Sequence, residues 1–259
     1  MLDIINLASI PTFLLIFVRV TAFFVALPLF SYKTIPNHFK IGFSFFLAFI
    51  MFYTVESPII PIDDTFVLLL VKEAIVGLLI GLLAYIILSA IQIAGGLIDF
   101  QMGFAIANVI DPQTGAQSPL TGQYFYIIAL LFLLSVNGHH LFIDGIFFSY
   151  NLIPIDVFVP FQNESLVNFV IETFNKMFVI AFQMAIPIVG CLFLVDVALG
   201  IIARTVPQLN VFVVGLPLKI FVSFVAMLFF LSLYMVLVKS LFETMFNAMH
   251  HLMQLMGGA

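Results

Sequence analysis

The sequence predicts an all-α, polytopic membrane protein with about six long hydrophobic helices and no soluble domain. Of its 259 residues, 64% are hydrophobic and only 8% are charged, whereas a soluble domain has about 45–50% apolar and about 25% charged residues. Several apolar runs approach or exceed the roughly 20 residues that cross a bilayer as a helix. They are continuous and do not alternate with period two, which favours helices over a membrane barrel. We expect a single helical membrane domain over residues 1–259.

Apolar segments separated by turn residues predict six or seven helices. The second segment is short for a membrane span, and the third and the last are long even for tilted helices. These uneven lengths indicate packing against protein as well as lipid. The segments cover approximately residues 10–30, 41–55, 66–94, 123–152 with a break at 137–140, 167–195 and 211–242.

Charge and motif content argue against several functions. Eight basic and 13 acidic residues give a formal net charge of −5, and no basic run is available to bind nucleic acid. The single cysteine, Cys191, excludes a disulfide within the chain. The histidines at 139–140 and 250–251 are adjacent, so each pair points about 100° apart on a helix and cannot chelate a metal as an i, i+4 pair does. The sequence contains no nucleotide-binding or hydrolase motif, and we expect no enzyme activity, cofactor or metal.

Charged residues inside apolar segments are the first candidate functional positions. Arg19 lies in the middle of the first segment, where a lone charge costs roughly 2.5–3.5 kcal/mol on insertion scales and needs a partner. It could pair with Glu73 or Asp196, or it could line a conduit or contact another subunit. We expect it to face protein rather than lipid. Lys72 and Glu73 are neighbours on different faces of their helix, so they are expected to pair with other helices rather than with each other.

Two glycines follow these charges in the third segment. Gly77 and Gly81 form a GxxxG pattern, a spacing that lets helix backbones approach closely. The pattern predicts tight helix packing in this region.

A polar, proline-punctuated segment separates the last two apolar runs. Residues 203–219 read ARTVPQLNVFVVGLPLK and include Arg204, Gln208, Asn210 and Lys219. Such residues are costly beside hydrophobic sequence and by default mark a pathway, a docking surface or a site. We expect the Arg204 guanidinium to hold fixed hydrogen bonds beside Gln208 and Asn210 and to contribute to assembly.

A second informative segment covers residues 103–122, GFAIANVIDPQTGAQSPLTG, which is apolar at its start and then rich in glycine and proline. It contains no lysine or arginine, although cytoplasmic loops are normally enriched in these residues. One interpretation is a re-entrant loop that is buried in protein or lines a water-filled cavity. The other is a plain surface loop.

The C-terminal tail, residues 241–259, is amphipathic. It is expected either to lie on the bilayer surface or to dock a partner through adaptable methionine side chains. Its apolar stripe has the three- and four-residue spacing of a helix face and consists of Phe242, Met245, Met249, Leu252, Met253 and Met256.

Together these residues resemble the FliR family of the flagellar type III export apparatus, which is similar to the SctT proteins of injectisomes. The resemblance covers most of the chain. One departure is Asp99 in GGLIDFQ, where many members carry a glutamate just after the glycine. The resemblance rests on Arg19, Pro28, Pro36 to Lys40, QMGFAIANVIDPQTGAQSP at 101–119, NGHH at 137–140, Pro187, Asp196 and LGIIARTVPQLNVFVVGLPLK at 199–219.

The resemblance implies an export-gate subunit that forms, with FliP and FliQ, the channel for unfolded flagellar subunits across the bacterial cytoplasmic membrane at the flagellar basal body. It also implies contact with FlhB, with FlhA nearby, and one copy of this subunit beside several copies of the others. It further implies that the loop matching 103–122 projects into the channel as a plug. The plug residues would then be Phe104, Ile106, Val109, Ile110, Asp111 and Pro112.

Two other functions stay open at this point. A secondary transporter of a small solute could use Arg19, Lys72, Glu73 and Asp196, the charges within apolar segments, although no inverted repeat supports it. A passive scaffold would instead depend on the contacts of Arg204 or Lys219, and mutation of the plug would have no effect on it.

Overall fold

A computed structural model of the chain describes residues 9–30, 35–55, 60–104, 119–159, 164–208 and 210–258. Within these ranges the chain forms seven α-helices and no β-strand, so the predicted all-α class is confirmed. The helices are α1 (Ile10–Ala26), α2 (Asn37–Thr54), α3 (Asp64–Met102), α4 (Leu120–Ser135), α5 (Gly138–Leu152), α6 (Glu164–Thr205) and α7 (Val211–Gly257).

Three of the described helices are long and apolar enough to cross a membrane. They are α3, α6 and α7, with 39, 42 and 47 residues. The helices α4 and α5 meet the same criterion together and bend by 73° at the break between them, so they count as a fourth span if they are one broken span. The chain is therefore a polytopic helical membrane protein. The predicted number of about six long helices is approximate, because α1 has only 17 residues and three or four described spans meet the criterion.

The chain divides into two compact units. Unit 1 contains Met1–Ile87, Leu134–Phe174 and Glu243–Ala259, and unit 2 contains Leu88–Leu133 and Asn175–Phe242. The long helices α3, α6 and α7 contribute residues to both.

In unit 1, α1 and α3 approach each other at two glycines. A Cβ atom at Gly77 would lie 2.2 Å from the backbone oxygen of Arg19, and one at Gly81 would lie 2.7 Å from that of Phe23. No larger residue fits at either position without displacing a backbone. The close approach predicted from the GxxxG pattern is confirmed.

The helix α2 packs on α1 through phenylalanine rings. Phe13 meets Phe45 edge to face with ring centroids 5.4 Å apart, and Phe24 meets Phe43 in the same way at 5.1 Å. Such pairs contribute to stability beyond their buried area, and they hold α1 and α2 together.

In unit 2, α4 is held against α3 and α7. A Cβ atom at Gly95 would lie 2.1 Å from the Gly122 backbone, so α3 and α4 touch backbone to backbone. The Tyr234 hydroxyl of α7 donates a hydrogen bond to the Phe125 carbonyl at 2.7 Å, and the two rings stack with centroids 4.4 Å apart.

The C-terminal tail continues α7, and its apolar stripe is buried. Met245 is 0% exposed and Met249 is 2% exposed. In unit 1 the end of α7 contacts α5 through Phe142 and Phe246, whose ring centroids are 5.1 Å apart, and His251 contacts Phe169 of α6 at 4.9 Å. The two exposed roles predicted for this stripe, a bilayer-surface helix and a docking face, are therefore wrong, because the chain itself covers the stripe.

Candidate functional site

A buried guanidinium lies in the core of unit 1. Arg19 of α1 is fully buried. Its Nη2 donates to Glu73 Oε1 at 2.9 Å, and its Nε donates to Glu73 Oε2, so the ion pair is bidentate. Nη1 donates to Ser149 Oγ at 3.1 Å, and Nη2 also donates to the Ile153 carbonyl at 2.9 Å. The Tyr150 ring centroid is 3.9 Å from Cζ, which adds a cation–π contact.

Lys72 of α3 joins the same cluster. Its Nζ lies 2.7 Å from Glu73 Oε1 and donates to the backbone carbonyls of Pro154, Ile155 and Val157 at 2.8, 2.9 and 3.1 Å. The expectation that Lys72 and Glu73 would not pair with each other is wrong. A lysine has a flexible four-carbon stem, which lets its ammonium reach the carboxylate of the next residue.

We call these groups the Arg19 cluster: Arg19, Lys72, Glu73, Ser149 and the carbonyls of residues 153–157. Two cations share one carboxylate, and the backbone carbonyls supply the remaining acceptors. Arg19 and Glu73 are 0% exposed and Lys72 is 3% exposed. In such a low-dielectric site each hydrogen bond is strengthened and each missing partner is costly. The cluster therefore ties α1, α3 and the end of α5 together.

A second polar group lies in unit 2, and we call it the Asp196 cluster. Lys219 of α7 forms an ion pair with Asp196 Oδ1 of α6, and Gln101 Nε2 of α3 donates to Asp196 Oδ2 at 2.7 Å. Lys219 Nζ also donates to the Gln101 carbonyl at 3.4 Å. The Lys219 and Asp196 side chains are 21% and 35% exposed. This cluster is partly exposed, unlike the Arg19 cluster.

A cavity of about 300 Å³ adjoins the Asp196 cluster. Its walls are mostly apolar and include Leu199 and Phe212, while Asp196 and Lys219 supply its polar side. Gly103 lies in the wall where α3 ends, and its φ of 90° requires a glycine,.

Asp99, the acid at which the sequence departs from the pattern of many FliR family members, is a buried carboxylate. It is 3% exposed. Its oxygens accept hydrogen bonds from the Thr121 backbone nitrogen at 3.2 and 3.3 Å and from the Thr121 hydroxyl. Thr121 is in the first turn of α4, where an anion is favourable beside free N–H groups. One feature of the sequence could have indicated this contact: the helix that starts after Pro119 has no acidic residue in its first turn, so the acid must come from elsewhere.

The polar segment between α6 and α7 is exposed. Asn210 Oδ1 accepts hydrogen bonds from the backbone nitrogens of Phe212 and Val213 at 3.2 and 3.4 Å, so Asn210 caps α7. Arg204 and Gln208 are exposed, and Arg204 has no hydrogen-bond or ion-pair partner among the described residues. The fixed hydrogen bonds expected between Arg204 and its neighbours are not present there.

Most of the predicted plug lies outside the described residues. Phe104 is half-buried, and its backbone nitrogen donates to the Asp99 carbonyl at 2.9 Å. The remaining plug residues, Ile106, Val109, Ile110, Asp111 and Pro112, belong to the undescribed stretch 105–118. The plug stays a prediction.

The helices and the two clusters define a polytopic helical membrane protein in which Arg19 and Lys72 are paired with Glu73, and Lys219 with Asp196, within the chain. Residues 10–245 match the family described as "Bacterial export proteins, family 1", and the chain belongs to that family. It is 56% identical over 249 residues to the flagellar biosynthetic protein FliR of Bacillus subtilis (strain 168), covering 95% of this chain and 96% of that protein.

More distant relatives come from both flagellar and translocation systems. The flagellar biosynthetic protein FliR of Escherichia coli (strain K12) is 27% identical over 230 residues, which are 88% of this chain and 87% of that protein. The Yop proteins translocation protein T of Yersinia pestis is 33% identical over 211 residues, which are 80% of this chain and 81% of that protein. The predicted resemblance to the FliR family and to its injectisome counterparts is confirmed.

Proposed function

We propose that the chain is a component of the flagellar type III protein export gate. It forms, with FliP and FliQ, the channel that passes unfolded flagellar subunits across the cytoplasmic membrane, and it is required for flagellum assembly. The observation that carries the proposal is the 56% identity with a flagellar biosynthetic protein, over 95% of this chain and 96% of that protein. FlhB and FlhA counterparts are further partners, and the site of action is the basal body. We propose that the chain catalyses no reaction.

The surface of the long helices supports a role in an assembly. In the most apolar window of α3, 56% of the residues are buried, whereas the corresponding share in α6 and in α7 is 22%. Phe212 and Phe229 of α7 are 86% and 84% exposed. Large outward-facing aromatic side chains of this kind are available to lipid and to neighbouring subunits.

The charged residues favour this proposal over a secondary transporter. A transporter needs polar groups free to bind its solute near the middle of the membrane. Arg19 and Glu73 are fully buried and bonded to each other, and Asp196 is paired with Lys219. Within the described residues, the charges on which the transporter hypothesis rests are engaged in holding helices together.

Native mass spectrometry tests the assembly. The chain is tagged and gently extracted after co-expression with its FliP, FliQ and FlhB counterparts, with a matched control that omits the FliP counterpart. We expect a defined complex that contains one copy of this chain only when all partners are present. A chain that emerges alone, or as a homo-oligomer, would contradict the proposal and favour the transporter.

Ion leak tests the plug that the resemblance implies. An apolar constriction can dewet and seal against ions, then open around a polypeptide. Replacing Phe104 and Ile106 by glycine should raise ion leak through the membrane without preventing assembly. An unchanged leak in an assembled complex counts against the plug.

A further inference from the structure

Asp144 is an exposed carboxylate on a largely apolar helix of unit 1. Leu141 and Phe148 share its face of α5, three residues before it and four after it, and are 49% and 41% exposed. Among the described residues Asp144 has no ion-pair or hydrogen-bond partner. His140, one turn earlier, stacks on His139 with ring centroids 4.2 Å apart. An acid in a membrane-type segment is costly to keep unless it is paired or hydrated, so the exposed Asp144 carboxylate is open to a cation from outside the described chain.

Asp144 lies beside a cavity of about 300 Å³ between α5 and the end of α7, both of which belong to unit 1 here. Phe148 and Phe246 supply its aromatic surface, while Met249 and Met253 lie beneath them and are each only 2% exposed. His250, another lining residue, is already engaged, because its ring stacks on Phe148 at 5.3 Å and its Nε2 lies 3.1 Å from Gln254 Nε2.

The lining, one carboxylate beside apolar and aromatic side chains, fits a ligand with a cationic group at the end of an apolar chain. Aromatic faces attract cations, and Phe148 and Phe246 form the exposed apolar part of the lining. Asp144 is the only Asp, Glu, Lys or Arg in the described lining. A phospholipid head group would bring a phosphate toward that carboxylate with no lysine or arginine to receive it. The volume is at the lower end of the roughly 300–1,000 Å³ of ligand pockets, which suits one long side chain.

We propose that this cavity receives an arginine or lysine side chain from a partner protein. The cationic group pairs with the Asp144 carboxylate, and the aliphatic stem lies against Phe148 and Phe246. Charge complementarity and the unpaired carboxylate carry this assignment. It does not depend on the export function proposed above.

A tryptophan reporter tests the proposal directly. The chain contains no tryptophan, so Phe148→Trp places a single indole in the cavity wall. The purified full-length chain in detergent is titrated with acetyl-Leu-Arg-Leu-amide and with the same peptide carrying citrulline, which keeps the shape of arginine and removes its charge. We expect a saturable change in indole emission with the arginine peptide and about tenfold weaker binding of the citrulline peptide.

Matched variants distinguish the cavity from unspecific attraction. On the reporter background Asp144→Asn should weaken binding of the arginine peptide about tenfold, whereas Asp64→Asn, which removes an exposed acid of α3, should leave it unchanged. If Phe148→Trp does not fold, Phe246→Trp supplies the reporter from α7.

Three results would overturn the proposal. The first is a lack of saturation with the arginine peptide, and the second is equal binding of the arginine and citrulline peptides. The third is a peptide-independent response in nanodiscs that contain phosphatidylethanolamine but not in nanodiscs without it, which would assign the cavity to a lipid head group.

Discussion

The Arg19 cluster of unit 1 and the Asp196 cluster of unit 2 use similar groups in different surroundings. Each joins three segments of the chain through a carboxylate and a cation. Arg19 and Glu73 are 0% exposed, whereas Lys219 and Asp196 are 21% and 35% exposed. Removing one partner of a buried pair leaves an uncompensated charge, while an exposed pair contributes little. We infer that the first cluster maintains the fold and that the second is free to serve assembly.

The largest expected effect is the loss of the shared carboxylate. Glu73→Gln leaves Arg19 and Lys72 buried without a counter-charge, which should lower the free energy of unfolding by about 3–5 kcal/mol. Thermal unfolding in detergent and the yield of monodisperse protein measure this change. Glu164→Gln, which alters an exposed acid at the start of α6, is the control. If Glu73→Gln is as stable as the wild-type protein, the Arg19 cluster does not maintain the fold as we infer.

The glycine beside the Arg19 cluster should give the next largest effect. Gly77→Ala places a methyl group where a Cβ atom would be 2.2 Å from the Arg19 carbonyl oxygen. Separating α1 from α3 should cost about 1–3 kcal/mol. Gly42→Ala is the matched control, because nothing lies within 4 Å of its Cβ position. Equal unfolding temperatures for the two variants would show that α1 and α3 do not touch at Gly77.

The Asp196 cluster should contribute less to stability. In a double-mutant cycle with Asp196→Asn and Lys219→Met, we expect a coupling energy below about 1 kcal/mol, because both groups are partly exposed. The cycle is measured by thermal unfolding in the same detergent. A coupling energy as large as the loss of stability in Glu73→Gln would contradict the difference between the two clusters.

Arg204 should have the smallest effect on stability. It is exposed and unpaired among the described residues, so Arg204→Ala should change the free energy of unfolding by less than about 0.5 kcal/mol. Under the proposed function the same variant should impair flagellin secretion and motility. Normal motility in cells that produce the variant at wild-type levels would refute the assembly role.

Composition predicted the fold class, and short-range patterns predicted part of the packing. The density of apolar residues indicates membrane helices whatever their partners are. The GxxxG pattern at Gly77 and Gly81 indicated a close helix contact because small residues alone permit one. The pattern did not indicate that α1 is the helix that packs against these glycines.

Contacts that depend on distant segments were harder to predict. Lys72 pairs with its neighbour because carbonyls from residues 154–157 hold its ammonium in place, and those lie more than 80 residues away. Asp99 binds Thr121 across 22 residues of sequence. The methionine stripe of α7 has the same spacing whether lipid, a partner or the chain's own α5 covers it. Periodicity therefore identified the apolar face without identifying what covers it.

The order of synthesis gives the Arg19 cluster a further consequence. Glu73 follows Arg19 by 54 residues in the sequence, and the other two partners of Arg19, Ser149 and Ile153, follow it by 130 and 134 residues. Because a chain is made from its N-terminus, α1 is synthesised before any of these partners. The Arg19 guanidinium therefore lacks its counter-charge until α3 has been made and supplies the Glu73 carboxylate.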